Sequence, residues 1–455
     1  MNDPQKSGVS SEFSRRNFLK TTSTIVGGSL LGGLTVERAA HAAGSDELKL
    51  ALIGCGGRGS GAANQALTTY NQGPIKLVAM ADIFKDRLEG SLNNLKKEHP
   101  DRVSVADDHK FLGFEAYKHA MEVADVVILS TPPGIRPFHF EEAVRQGKNV
   151  FMEKPVATDG PGIRRVLAAA EEAKRKNLKV GVGLQRRHQL PYLETIKRIH
   201  DGAIGDVTSM RCYWNGTTPW VHPREELERQ AGRKLTEIEY QMRNWYYFTW
   251  ICGDHIVEQH IHNLDVMNWV KNGYPVRAHG MGGCEVRKGK DYGEIFDHHA
   301  VEFEYADGTR CYSQCRHING CWSSVSEYAV GTKGSVDISG YRIKGENAWR
   351  FTQEGAKDPY QQEHDDLFDA IRNNKPYNEA ERGAKSSLTA ILGRMATYTG
   401  KIIEWDQALN SPIRLMPDDL ENLGFNAVPK VTPGPDGMYP RAIPGDPGWF
   451  KKVVG

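Results

Sequence analysis

Leu48-Lys49-Leu50-Ala51-Leu52-Ile53-Gly54-Cys55-Gly56-Gly57-Arg58-Gly59 is the stretch whose reading decides the fold. An apolar run ends in Gly-x-Gly-x-x-Gly, and an Ala-rich stretch with helical spacing follows to about Thr69. Between a strand and a helix, Gly54, Gly56 and Gly59 allow a tight turn and a close backbone approach to a pyrophosphate, while the first N–H groups of the helix face the phosphates. Gly57 and Arg58 lie inside the same loop and are counted with it. A second apolar run, Lys76 to Ala81, ends at Asp82. An acid there accepts hydrogen bonds from the adenosine ribose hydroxyls and repels a 2′-phosphate, so NAD is expected rather than NADP. The competing reading, glycines serving a tight turn alone, is disfavoured by the acid standing where the motif needs it. Cys55 requires no role beyond its small size.

Working outward, strand signals recur at Val123 to Ser130, at Asn149 to Met152 and at Lys179 to Leu184, with a helix pattern over Pro137 to Gln146. Continuous Val, Ile and Leu runs alternating with amphipathic helices predict a parallel sheet covered on both faces. Beyond Leu184 the strands lengthen and alternate, as in Val301 to Tyr305, Arg310 to Arg316 and Ser326 to Val330, which predicts a second, mainly antiparallel sheet. Helices are expected over Gln362 to Asn373 and Glu379 to Thr399, and the Pro/Gly-rich end after Leu423 reads as an extended arm. The predicted fold class is α/β. A doubly wound Rossmann domain, 46–184, is followed by an α/β substrate and oligomerisation domain, 185–405, and an arm, 406–455.

The chain has 455 residues, more than one hydrophobic core usually organises, which agrees with two domains. With 58 basic and 57 acidic side chains the net charge is +1, which offers no footprint for nucleic acid or anionic lipid. Seven cysteines without C-x-x-C pairs give no disulfide framework, so buried free thiols are the default, with a disulfide or metal at Cys311 and Cys315 as the minor alternative. The first residues stand apart from the fold. Ser14-Arg15-Arg16-Asn17-Phe18-Leu19-Lys20, a weakly apolar run from Thr21 to Val36, and Ala40-His41-Ala42 have the form of a cleaved twin-arginine signal, 1–42. The run is shorter and more glycine-rich than a membrane anchor needs. The twin-arginine export machinery is therefore an expected partner, with a periplasmic or otherwise exported location. That route carries folded proteins, which suits an enzyme loaded with cofactor before export.

Thr131-Pro132-Pro133 after the third strand, Gly147-Lys148-Asn149-Val150 leading into Glu153-Lys154-Pro155, and the later Glu258 to Asp265 segment resemble the glucose-fructose oxidoreductase and inositol dehydrogenase family (Gfo/Idh/MocA). The resemblance runs to about Asp406. It implies that Thr131, Pro132, Glu153, Lys154 and Pro155 border the cofactor, that Lys154 contacts the reacting hydroxyl, and that His262 completes the site. It also implies a cis peptide at Pro155, a small carbohydrate substrate and a homo-oligomer. Arg136 stands where many members have histidine, and Glu258 and His260 where many have aspartate and glycine.

The second-domain segment can also be read without the family. If 254–270 is one helix at about 100° per residue, His255, Glu258, His262 and Asp265 fall within about 80° of one another, while apolar residues occupy the other faces. A buried ionisable stripe needs partners or a function. Three readings remain open: a proton relay in which Glu258 and Asp265 orient His262, a satisfied structural network, and a metal site of His255, Glu258 and His262. Upstream, Trp214, Trp220, Trp245, Tyr246, Tyr247 and Trp250 suit either sugar-ring stacking or core packing. Trp245 and Tyr246 are the candidates for substrate contact. Gln185-Arg186-Arg187 is similar to a substrate-facing basic segment of the family, which makes Arg187 a candidate, with a solvated charge run as the alternative.

Together these residues predict oxidation of a secondary hydroxyl, with His262 taking the proton and Lys154 hydrogen-bonding the oxygen. An exported enzyme would keep and recycle its NAD. A ping-pong oxidoreductase and a glycosidase that oxidises, eliminates, hydrates and reduces both satisfy that requirement. A sugar-binding protein without turnover is the reading from another class.

Overall fold

The computed structural model describes residues 47–416 and 423–455. The signal-like segment 1–42 lies outside them. The chain opens with β1 (Leu48–Ile53) and α1 (Gly57–Thr68), then β2 (Ile75–Asp82), α2 (Lys85–Glu98), β3 (Lys110–Leu112), α3 (Ala116–Glu122), β4 (Val126–Leu129), α4 (Arg136–Arg145), β5 (Asn149–Met152), α5 (Gly160–Arg175) and β6 (Val180–Val182). Among the described residues these strands form one parallel sheet in the order β3-β2-β1-β4-β5-β6. The order reverses between β1 and β4, and the crevice at such a switch point is where α/β sheets bind ligands. The continuous apolar runs are buried on both sides, as Leu50, Ala51, Leu52 and Ile53 show. The three-residue β3 was not legible because its residues, Lys110-Phe111-Leu112, carry no periodic pattern.

After α6 (Leu190–His200) the second sheet begins with β7 (Val207–Gly216). An insertion follows, carrying α7 (Arg224–Ala231) and α8 (Glu237–Arg243), and then α9 (Thr249–Cys252), α10 (His255–Glu258) and α11 (Ile261–Lys271). Strands β8 (Pro275–Gly283), β9 (His298–Tyr305), β10 (Arg310–His317), β11 (Ser324–Gly331), β12 (Gly334–Asp337), β13 (Arg342–Gly345) and β14 (Trp349–Arg350) lead to α12 (Pro359–Arg372) and α13 (Ala380–Thr399). A short β15 (Ile403–Glu404), α14 (Trp405–Asn410) and a terminal α15 (Pro447–Val453) end the chain. The sheet order is β14-β13-β12-β11-β7-β10-β9-β8-β15, antiparallel throughout except for the parallel β7–β10 pair.

Contacts cross the expected boundary at 184/185: α12 returns to the Rossmann layer, where Leu367 and Phe368 share a core with Leu50, Leu52 and Phe151. Nearly every residue of α13 is buried, and it packs against both α5 and β8, so 44–455 is one compact unit. The C-terminal segment, expected as an extended arm, packs along the fold. Its described residues between 411 and 446 form no helix or strand, yet they are pinned: Leu415 N–H donates to Asp159 (2.7 Å), and Met416, Leu423 and Tyr439 pack with Tyr246, Tyr247 and Trp250. Its proline and glycine content prevents regular structure but not packing.

The seven cysteines are free, five of them buried, with Cys284 partly exposed and Cys321 exposed. Cys311 and Cys315 both lie on β10 and are not bonded to each other.

Candidate active site

A cavity of about 820 Å³ follows the carboxyl ends of the Rossmann strands and is roofed by the second layer. The glycine loop forms one wall. Gly54 has φ +92°, and a Cβ there would stand 2.6 Å from Thr131 N. On Gly59 a Cβ would meet Gly54 O at 2.0 Å, so glycine is what lets α1 sit against β1. A Cβ on Gly56 or Gly57 would meet nothing within 4 Å, which leaves bare backbone at the head of α1 facing the cavity. That cradle suits a pyrophosphate. Asp82 accepts N–H bonds from Cys55 (2.7 Å) and Phe84 (2.9 Å), which ties the acid to the loop and leaves lone pairs for ribose hydroxyls. Burial raises its carboxyl above the ordinary value despite those two bonds.

Arg58 pairs with Glu153 (2.6 Å), donates to Gln65 (2.6 Å) and lies over the Tyr360 ring. Glu153 thus acts on the phosphate loop through Arg58. Thr131 and Pro132 line the cavity, and the Thr131 hydroxyl is 3.2 Å from His139 Nδ1. The Lys154–Pro155 peptide is cis, and the Pro155 carbonyl accepts from Arg136, which also donates to the Thr131 carbonyl. Pro155 itself does not line the cavity. Burial lowers Arg136 to about 10, against the pull of Glu153 and Glu258. Arg136 is therefore a clamp between the Thr131 and Pro155 turns.

At the far end the chemistry-bearing side chains converge. Lys154 Nζ is 2.9 Å from Glu258 Oε1 and also donates to the Glu258 carbonyl. His262 stacks on Trp214, with ring centroids 6.0 Å apart, and its buried Nδ1 has no hydrogen-bond partner among the described residues. Burial, reinforced by Lys154 and Arg186, holds its imidazole pKa well below 6.5, so the ring is neutral at ordinary pH. Trp245 and Tyr246 line the cavity, as do Trp214 and Trp220, whereas Tyr247 and Trp250 belong to the core. Gln259, His139, Tyr360 and Arg243 also line it and were not legible as site residues, because each depends on a tertiary approach.

The expected single helix over 254–270 is broken at Gln259–His260. His260 is drawn onto Ser313 of β10, with Nε2 to Oγ 2.7 Å, and this interrupts the phase that would have aligned four ionisable groups. Glu258 and His262 keep to the cavity. Asp265 is removed from it: Arg187 binds both its oxygens (2.8 and 2.9 Å) and Ser386 donates to it (2.7 Å). Burial opposes its ionisation, but Arg187 outweighs this and the carboxyl stays below its ordinary range. Arg187 is thereby paired with Asp265 and does not line the cavity, and Arg186 pairs with Glu327. The basic run is paired with buried carboxylates rather than solvated. His255 is also withdrawn, its Nδ1 2.8 Å from Asp254, so His255, Glu258 and His262 do not converge on a metal position. The residues that do converge are Asp254, His255 and His299. Asp254 already accepts from Tyr398 (2.6 Å), the Phe296 N–H (3.0 Å) and His255, which makes it a satisfied buried anion.

Residues 48–183 match the Gfo/Idh/MocA oxidoreductase family, NAD-binding Rossmann fold. The glycine cradle and Asp82 fall inside this match, so 48–183 form an NAD-binding Rossmann domain similar to that of this oxidoreductase family. The chain is 32% identical to an inositol 2-dehydrogenase of Klebsiella pneumoniae (strain 342) over 227 residues, 50% of this chain and 55% of that one. It is 24% identical to a 2,7-anhydro-N-acetylneuraminate hydratase of Mediterraneibacter gnavus over 227 residues, 48% of this chain and 52% of that one. The chain spans about half the length of these curated relatives. A scyllo-inositol dehydrogenase from Lactobacillus casei, solved with NAD(H) and scyllo-inositol, shares the fold with a TM-score of 0.58 at 20% identity, over 79% of this chain and all of that one.

Proposed function

We propose that the protein is an exported, NAD-dependent oxidoreductase that oxidises a secondary hydroxyl of a sugar, glycoside or polyol and keeps its cofactor bound. The observation that carries this reading is a neutral His262 and a Lys154–Glu258 pair in the same cavity as the glycine cradle. Bound there, NAD supplies the hydride acceptor. His262 is the base that takes the hydroxyl proton, because a neutral imidazole has an acceptor nitrogen to offer. Lys154 steadies the oxygen as it gains charge, and Glu258 keeps the ammonium aimed. Trp214, Trp245 and Tyr246 offer flat apolar faces to the C–H side of a sugar ring.

Cofactor retention is supported at the adenosine end. Trp220, His222, Met242 and Arg243 of the insertion close the cavity over Phe84 and Phe114, and Arg243 holds Asp86 of α2 through two bonds of 2.7 Å. Export, and with it the twin-arginine machinery as partner, rests on the Ser14 to Lys20 and Ala40 to Ala42 sequences; a homo-oligomer remains part of the proposal by family resemblance. The likeness to a hydratase favours a second scheme, in which transient oxidation is followed by elimination, addition of water and reduction.

The test uses protein purified from the exported fraction without added nucleotide. NAD recovered by mass spectrometry in stoichiometric amount, and a rise in reduced-nicotinamide absorbance when polyols or glycosides are added, are the expected results. Cleavage of a glycoside without net reduction selects the second scheme. Sugar binding with no absorbance change and no cleavage would sink both schemes and leave a binding protein.

A further inference from the structure

Gln259 lies between Glu258 and His262 in the chain and lines the same cavity, yet the oxidoreductase reading gives it no task. Behind it is a buried polar relay. Its Oε1 is 2.6 Å from His317 Nε2, at the end of β10. His317 Nδ1 is in turn 2.6 Å from a terminal nitrogen of Arg287, a side chain 1% exposed that also donates to the Phe296 carbonyl (3.1 Å). The loop carrying Arg287 is fixed by Asp297, whose Oδ2 accepts the N–H groups of Glu285 (2.8 Å), Val286 (2.6 Å) and Arg287 (3.2 Å).

The donor inventory orients the whole chain of bonds. A guanidinium has only donors, so His317 Nδ1 must accept. Burial, with His255 and Arg287 adding to it, lowers the His317 pKa far below the usual imidazole value, so the ring is neutral and its one proton sits on Nε2. That N–H donates to the Gln259 oxygen. The carboxamide NH2 is consequently turned from His317, and among the described residues it has no protein acceptor. Flipping the amide would set its NH2 against the His317 N–H, two donors facing each other, so the relay holds one orientation.

We propose that Gln259 is a substrate-binding residue whose NH2 donates to a second oxygen of the substrate, near the hydroxyl served by His262 and Lys154. His317 and Arg287 are positioning residues that act through it. The substrate class narrows accordingly to polyols and sugars with an oxygen acceptor close to the oxidised carbon; a lone secondary alcohol would leave the donor unpaired. This rests on the oxidoreductase reading above.

The full chain with its NAD is assayed on myo-inositol, D-glucose and methyl β-D-glucoside, then on the monodeoxy derivatives of the best of the three. Wild type should discriminate against one derivative. Gln259→Leu should raise KM for the parent about tenfold with a smaller change in kcat, and should lose that discrimination while retaining its cofactor. Gln259→Glu, which keeps an oxygen for His317 and lacks the NH2, should behave alike if the leucine variant folds poorly. His317→Phe should reproduce the loss of discrimination, a readout that a merely structural role would not move. Wild-type KM and an unchanged ranking of the deoxy derivatives in both Gln259 variants would overturn the assignment while leaving the oxidoreductase reading intact. If wild type binds or oxidises none of the three parents, the oxidoreductase reading falls and this inference with it.

Discussion

At the scale of single residues, two side chains three positions apart and expected to act together, His262 and Asp265, have opposite fates. His262 is a neutral imidazole in the cavity, so as a general base it is competent above its own lowered pKa and lost only as pH falls through it. The acid limb of kcat/KM should therefore lie below the ordinary imidazole value of 6.5. A pH profile of NAD reduction measures it: a limb that persists in His262→Gln would refute the assignment, and one at or above that value that vanishes in the variant would refute the lowered pKa. His262→Ala should lower kcat by roughly 10²-fold or more. Asp265→Asn should act on stability instead. It strips the partner from Arg187, whose side chain is 10% exposed, and breaking a buried pair of this kind costs about 3–5 kcal/mol. Thermal melting should show the loss, while kcat of the folded fraction stays within a few-fold of wild type. The glycine loop and Asp82 were legible because their determinants are local: a strand, a turn and a helix start. The helical stripe was not, since the break that redirects Asp265 is set by Ser313, about fifty residues further along.

Among the elements, the insertion between β7 and α9 has the clearest consequence. Its helix α8 ends in Arg243, which binds Asp86 with two bonds of 2.7 Å and lies 3.7 Å over the Phe84 ring, while Phe425 stacks on Phe84 from the C-terminal segment. Adenosine entering beside Asp82 is thus enclosed by residues from three separated stretches of chain. Asp86 is largely exposed, so the ion pair adds little to overall stability, but it must open for the adenosine end to leave. Arg243→Ala should speed NAD release several-fold with the melting temperature nearly unchanged. Dilution of loaded protein into a nucleotide scavenger gives the rate, and an unaltered rate would remove the insertion from cofactor retention. The sequence of this insertion reads only as aromatic and charged; that it lies over the Rossmann domain follows from the packing of Tyr240, Tyr246 and Phe248 with Phe84 and Ile135, which no local pattern records.

Across the whole molecule, the two sheets are joined where the chain leaves the Rossmann domain. The alternation of strand types foretold both sheets, but α12 and α13 had no sequence mark directing them back to the first one; their amphipathic faces would fit either. His188 sits at that junction, just after β6, with Nδ1 2.6 Å from Asp366 of α12 and Nε2 3.3 Å from Glu379 at the start of α13. Burial disfavours its charge, but the two carboxylates prevail and raise it to about 9. Glu379 keeps a second partner in Arg382, so the cation at His188 is what the arrangement lacks when the imidazole is removed. A raised folded-state pKa means that the stabilisation is fully present below the unfolded value of 6.5 and is lost as pH rises through about 9. His188→Gln should therefore cost on the order of 2–3 kcal/mol at pH near 6. Denaturant unfolding of the two proteins side by side should show the gap narrowing steadily toward pH 10 or so, because deprotonated wild type no longer holds the cation either. A gap that is the same at both ends of the range would mean that His188 joins the layers by shape rather than by charge.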